Sequence, residues 1–434
     1  MSEVAATSSG FRRTSLLGDV FRINTRQISP SGFHGKTFSH YSIPAYDSVG
    51  GPAQEPAETI ESNKFHLTQA CVLVSKLNPR KPRVKAVHAP APWSCASTEF
   101  ICLEPRHAET NLRFWEAYFS GSDFSARLAR VAVGSTNSHT RASPKETLGW
   151  SVPAVPAAEQ SEIAEILDTL DEAIRGTEAV VGKLKAAKQG LLHDLLTRGI
   201  TAQRDLRPPQ TEAPHLYHET PLGWLPKEWL VMKLGDASES LVDGPFGSNL
   251  KTEHYVAEPG VRVVRLQNIQ SGYFDDTEKA FIRESHADKL NRNKVLSGDV
   301  LIASLGDDGY PVGRTCLYPA EMSDAINKAD CFRFRGARGC RNGFVALYMN
   351  SQAVRQQVRG FAQGVTMKRI NLGNLRRVVV TLPPPFEQEM IEQRAASIEA
   401  AMQNSMNELA KLRLQKSGLM EDLLTGRVSV QALL

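Results

Sequence analysis

The chain has 434 residues, too many for one ordinary domain, and the length alone suggests two to four units. Its 41% hydrophobic and 23% charged residues are those of a globular protein, and no apolar run is long enough to span a bilayer. A net charge of +4 is too small to identify a partner, and six cysteines without a C-x-x-C pair argue against a zinc site or disulfide framework and for a reducing cytoplasm.

In chain order, Met1 to Arg13 is polar and lacks the apolar stretch of a secretory signal, so residues 1–14 are read as a tail. Residues 15–150 hold short apolar, β-branched runs broken by Gly, Pro and Asn, the pattern of strands in a mixed α/β globule. Proline punctuation at Pro153 and Pro156 then gives way to a proline-free helical segment, within bounds set at 151–200. Residues 201–220, with Pro208-Pro209, read as a polar linker. A second globule at 221–380 and a second helix at 381–428 follow, with a tail at 429–434.

The chain repeats itself. Lys188-Gln189-Gly190-Leu191-Leu192-His193-Asp194-Leu195-Leu196-Thr197 returns as Lys416-Ser417-Gly418-Leu419-Met420-Glu421-Asp422-Leu423-Leu424-Thr425, and Glu159-Gln160 as Glu387-Gln388 at the same offset. Ile163, Leu167, Leu170, Ile174, Thr177, Val181, Leu184, Lys188, Leu191 and Leu195 alternate steps of four and three. Ile391, Ala395, Ile398, Met402, Ser405, Leu409, Leu412, Lys416, Leu419 and Leu423 do so in the same register, which predicts a sustained coiled-coil seam. A helix of about 38 residues is roughly 57 Å long. Fainter echoes link the globules: Val72–Leu77 with Val300–Leu305, Leu17-Gly18-Asp19 with Leu234-Gly235-Asp236, and Gly134-Ser135-Thr136 with Gly364-Val365-Thr366. Both globules carry an excess of Lys and Arg and both helices an excess of Asp and Glu, a balance that suits a polyanion without singling one out.

Several motifs lead nowhere. Asp243-Gly244-Pro245-Phe246 approaches a methyltransferase tetrapeptide, but glycine stands where the first proline belongs and no cofactor loop accompanies it; a turn with its glycine at positive φ is the expectation. Gly35-Lys36-Thr37 has Pro30 where a phosphate loop needs its first glycine. Asp307-Asp308 lacks the carboxylates and lysine of a nuclease centre and reads as a turn, or as an acceptor for a cytosine amino group.

Base reading calls for forked or amide donors on loops. The first globule offers Lys76, Asn78, Arg80 and Arg83 on a loop stiffened by Pro79 and Pro82, then Ser135, Asn137, His139 and Arg141 before the helix. The second offers Ser248, Asn249 and Lys251, then Arg265, Gln267 and Asn268, then Arg314, Thr366, Lys368 and Arg369.

The Pro-x-x-Glu-Gln element followed by Ile163-Ala164-Glu165-Ile166-Leu167-Asp168, with Lys188–Gly199, resembles the specificity subunits of type I restriction-modification systems. Tyr41–Asp47, Ser75–Arg80 and Gly244–Leu250 add to the resemblance, which extends from about residue 15 to the C-terminus. It implies an α+β chain in which two target recognition domains alternate with two helices packed as an antiparallel coiled coil, in a pseudo-twofold repeat. It also implies double-stranded DNA as ligand, one half of a split site per globule, with the helices setting the gap. Two methyltransferase subunits would dock on the helices and motor-nuclease subunits would join them. S-adenosylmethionine, ATP and Mg would then sit on those partners, with no cofactor, metal, membrane or catalytic site on this chain. Gly426-Arg427 in place of Arg198-Gly199 departs from the repeat and implies a different end to the second helix. A scaffold built on the helices, and a methyltransferase with a built-in target domain, are the competing readings.

Overall fold

A computed structural model describes residues 13–132 and 140–432. It mixes helix and sheet in two compact units, one made of the chain up to Val180 with the chain from Ser405, the other Val181–Asn404.

In the first unit the continuous apolar runs Cys71–Ser75 and Phe100–Pro105 are buried on both faces, so they form the centre of a sheet. Its order is Phe21–Ile23, Phe100–Pro105, Cys71–Ser75, Val84–Val87, all antiparallel. On one face Val72, Val74, Ile101 and Leu103 pack under the helix Leu112–Ser120, where Trp115 meets Phe21 edge-on at 5.3 Å. On the other, Cys71, Leu73 and Cys102 join Ala96 of a five-stranded sheet. That sheet runs Gln27–Ile28, Lys64–His66, Ser94–Ala96, Thr37–Tyr41, Ala53–Pro56, with Thr37–Tyr41 and Ser94–Ala96 parallel.

The second unit also combines a four-stranded sheet with a five-stranded one, the four-stranded sheet in the same strand order. Ser238–Val242, Cys331–Gly336, Val300–Ala303 and Thr315–Leu317 form its four-stranded antiparallel sheet, covered by the helix Asn342–Met349. Its five-stranded sheet runs Tyr255–Val256, Phe281–Ile282, Val261–Val264, Ala325–Asn327, Lys294–Val295, again with one parallel pair, Val261–Val264 on Ala325–Asn327. The Leu-Gly-Asp echo has a cause in this plan. Leu17 N and Gly18 N donate to Trp150 O and Leu148 O, as Leu234 N and Gly235 N donate to Val378 O and Arg376 O. A Cβ on Gly18 would stand 3.1 Å from Leu148 O, and one on Gly235 3.1 Å from Arg376 Cβ, so the close approach of the two segments selects glycine in both.

The long helices span Ala157–Thr197 and Pro385–Leu424. From 172 to 190 only Ile174, Thr177, Val181, Leu184 and Lys188 are not exposed; from 399 to 418 only Met402, Ser405, Leu409, Leu412 and Lys416 are not. In the first unit Ile163 and Leu167 share a core with Leu423, while Leu170 and Leu419 are half-buried; Asp171 pairs with Lys416 and Glu178 with Arg413. In the second, Leu195 shares a core with Ile391, Leu191 packs on it, Ile398 is half-buried and Lys188 pairs with Glu399. Within each unit the two helical segments therefore run antiparallel. Gln160 and Gln388 do the same work at the two helix starts. Gln160 accepts from Asn111 N and donates to Val155 O; Gln388 accepts from Arg341 N and donates to Pro383 O. The second helix ends one position earlier in the repeat because its left-handed glycine, Gly426 at φ 72°, comes one position earlier than Gly199 at φ 67°.

Where a linker is expected, Tyr217–Thr220 and Gly223–Pro226 form a hairpin, Tyr217 Oη donates to Pro208 O at 2.6 Å, and Arg207 is buried within the second unit. Gly244 differs from its expectation. Its φ is not positive, and glycine is needed there because a Cβ would lie 2.1 Å from the Lys328 carbonyl. No helix among the described residues is long and apolar enough to cross a membrane.

Candidate nucleic-acid interface

In each unit the chain leaves the central strand of the four-stranded sheet as a polar loop, and the segment before the long helix fastens that loop. In the first unit Leu77 bridges Arg141, Ala142 N donates to Lys76 O, and Asn78 N donates to Thr140 O at 3.0 Å. The Arg141 guanidinium forks onto Glu99, with Nε 2.9 Å from Oε2 and Nη2 3.0 Å from Oε1. In the second unit Leu305 pairs with Arg369 and Gly306 with Lys368, Ile370 N donates to Ser304 O, and Arg369 pairs with Asp330 at 2.9 Å. The same acid also fixes the strand end: Lys76 N donates to Glu99 O, and Ser304 N to Asp330 O.

The loops close on a buried arginine. Ser75 N donates to Arg83 O as Ala303 N does to Arg314 O, so Arg83 and Arg314 hold corresponding places. Arg83 forks onto Asp47, both bonds 2.8 Å, and holds that carboxyl well below the usual carboxylate range. Arg314 donates Nε to Ile269 O at 2.7 Å, Nη2 to Leu266 O at 3.0 Å and Nη1 to Leu305 O at 3.0 Å; burial lowers its pKa. Both side chains face inward. Arg83 keeps Nε and Nη2 on Asp47 while its Nη1 is buried without a partner among the described residues, and all three guanidinium nitrogens of Arg314 are engaged. What they fasten is the surface around them.

On that surface Lys76 and Asn78 are half-buried and Arg80 is exposed; Asn78 adopts φ 47°. Ser135, Asn137 and His139 lie outside the described residues. In the second unit a cleft of about 360 Å³ is lined by Gln267, Asn268, Glu278, Asp307, Tyr310, Arg314 and Met367, among others. Arg265 and Gln267 both bond Glu278 beside it, Asn268 is buried, Thr366 and Arg369 are exposed, and Lys368 is half-buried. Asp307 Oδ1 accepts from Tyr310 N at 2.7 Å, which closes a turn. Asn249 and Lys251 do not line this cleft. Ser248 falls in the short turn Gly247–Asn249, Asn249 O lies 2.8 Å from His286 Nε2, and Lys251 faces Glu253. The acids that engage the arginines, Asp47, Glu99, Glu278 and Asp330, escape a search for donors. The common offset of Leu77–Arg141 and Leu305–Arg369 was the available signal. Among the described residues no group of three His, Cys, Asp or Glu side chains could hold a metal ion.

No family model matches the chain. It is 24% identical over 211 residues to the putative type I restriction enzyme MjaX specificity subunit of Methanocaldococcus jannaschii, covering 48% of each chain. To the MjaVIII specificity subunit of the same organism it is 23% identical over 255 residues, 58% of this chain and 55% of that one. To the EcoKI specificity subunit of Escherichia coli strain K12 it is 23% identical over 183 residues, 42% of this chain and 39% of that one. The matches thus span about half the length of these curated relatives. The fold is similar to the HsdS subunit from Thermoanaerobacter tengcongensis, with TM-score 0.51, 16% identity and coverage of 98% and 100% of the two chains. It is also similar to the type I S subunit from M. genitalium, with TM-score 0.54, 12% identity and coverage of 97% and 98%. A chain from a study of assembly and conformational transition in the type I R-M system gives TM-score 0.60 at 16% identity, with coverage of 98% and 100%. By sequence the chain is therefore a relative of type I restriction enzyme specificity subunits, and its fold is that of HsdS subunits.

Proposed function

We propose that this chain is the DNA sequence-specificity subunit of a type I restriction-modification enzyme. Each globule reads one half of a split site in double-stranded DNA. The observation that carries the reading is the duplicated unit: two globules built on four-stranded sheets of the same order, each presenting a polar loop fastened by a corresponding arginine–acid pair. Two similar readers on one chain suit a site with two halves. Lys76, Arg80, Lys368 and the 364–367 loop supply donors for phosphates and base edges, while Arg83 and Arg314 hold the loops in place.

The long helices pair as an antiparallel coiled coil, relate the two globules by a pseudo-twofold, and set the gap between half-sites. Their outer faces dock two methyltransferase subunits, and the motor-nuclease subunits join that assembly. S-adenosylmethionine, ATP and Mg belong to those partners, and no catalytic step is assigned to this chain. The test exchanges residues 15–150 for those of a relative with a different site and maps methylation in cells. One half of the methylated motif changes and the other stays; a change in both halves, or in neither, refutes two independent readers.

A further inference from the structure

The two globules share the order of their four-stranded sheets. In the five-stranded sheets the first strand pairs at opposite edges, Gln27–Ile28 on Lys64–His66 and Tyr255–Val256 on Phe281–Ile282, and the chains also part company after the first strand of the parallel pair. In the first unit Thr37–Tyr41 leads into the helix Ile43–Val49, which supplies Asp47 to the buried Arg83. In the second unit Val261–Val264 leads into the short turn Leu266–Asn268 and then a loop that runs to Phe281. Arg314, in the place of Arg83, grips that turn through carbonyls alone. The same anchor thus holds two different segments.

In the second unit the segment ends on a carboxylate held from below and from the side. Glu278 O accepts from Arg262 Nη2 and from Asn268 Nδ2, both at 2.9 Å, and both donors belong to buried side chains. Its Oε2 accepts from Arg265 Nη2 at 3.1 Å and from Gln267 Nε2 at 2.9 Å. Oε1 has no donor among the described residues, and the side chain is 65% exposed at the cleft. An acceptor held this firmly loses little entropy when it meets a donor.

Resting on the reading above, we propose that Glu278 is a specificity-determining residue of the second globule. Its free Oε1 accepts a hydrogen bond from the exocyclic amino group of a base in the major groove. A carboxylate is repelled by phosphates, and the donors a duplex offers it in that groove are cytosine N4 and adenine N6. Arg265, Gln267 and Asn268 are positioning residues, because they act on DNA through the carboxylate. Sequence reasoning weighed Asp307-Asp308 as an acceptor and passed over this one.

The experiment maps methylated motifs in cells that express the methyltransferase subunit with the wild-type chain, with Glu278→Gln, or with Glu278→Ala. The wild type specifies a base pair at one position of the second globule's half-site, and whether that pair is C·G or A·T tells the two amino groups apart. Glu278→Gln, of nearly the same shape, lowers the preference at that position by about 5- to 150-fold and leaves the other half and the gap unchanged. Two outcomes overturn the assignment: a motif unchanged in both variants, or methylation lost everywhere with the melting temperature intact. If the wild type itself yields no split motif, the specificity reading fails first, and this assignment fails with it.

Discussion

Glu387 and Glu159 stand at the same place in the two copies of the repeat, yet their surroundings assign them different energies. Glu387 is fully buried at the start of the second long helix. It accepts from Ile200 N at 2.7 Å and from Arg207 Nη2 at 3.0 Å, and pairs with Arg207 Nη1 as well. Glu159 is half-buried and makes no side-chain hydrogen bond or ion pair among the described residues. Glu387→Ala strands the buried Arg207 and leaves Ile200 N without an acceptor. Breaking a buried pair costs about 3–5 kcal/mol. Arg207 keeps Arg198 O and the exposed Glu228 as partners, both at 3.1 Å, so the lower end, about 3 kcal/mol, is expected. For a unit of this size that lowers the melting temperature by about 6–12 °C. Glu159→Ala costs about 0.5 kcal/mol, a shift of about 1–2 °C. Thermal unfolding of the purified chain, followed by circular dichroism and calorimetry, measures both. Equal shifts in the two variants would refute the buried-pair argument.

Two further outcomes follow from burial. Leu195→Ala, at a fully buried seam position, destabilises by about 2–5 kcal/mol. Lys188→Ala, which removes the partner of the half-exposed Glu399, costs under about 1 kcal/mol; urea titration separates the two. Burial pushes the thiols of Cys71, Cys95 and Cys316 up from 9.0 to about 12, and that of Cys340 up to about 11. A raised folded pKa gives stability that is complete below pH 9 and lost as pH climbs through the folded values. Melting temperatures therefore fall between about pH 9 and 12. Iodoacetamide at pH 8 leaves the five buried thiols unmodified in the native chain, the half-buried Cys340 being the one that can react, and labels all six after denaturation; fast labelling of more than one native thiol contradicts the burial.

The helices were legible because one physical rule, burial of a seam at alternating steps of three and four, acts locally along the chain. Their bounds, Ala157–Thr197 and Pro385–Leu424, fall inside the segments 151–200 and 381–428 read from sequence. The two glutamines at the helix starts were visible as a repeated Glu-Gln, although only the structure gives their bonds. The arginines were not legible in the same way. Arg80, Arg83 and Arg314 look alike in a sequence, and what separates them is an acid or a set of carbonyls brought in from far along the chain. Arg83 meets Asp47 across 36 positions and Arg314 meets Leu266 across 48. Gly244 and Glu278 share this character, since a close backbone approach and a four-donor grip are tertiary facts.

The central claim is that this chain supplies DNA sequence specificity to a methyltransferase. Mapping the methylated bases in cells that express the partner methyltransferase subunit with and without this chain tests it most directly. The account predicts a single split motif that appears only when the chain is present. Soluble complex formation with no new methylation, or methylation that is the same in its absence, would contradict it and leave a coiled-coil scaffold as the better reading.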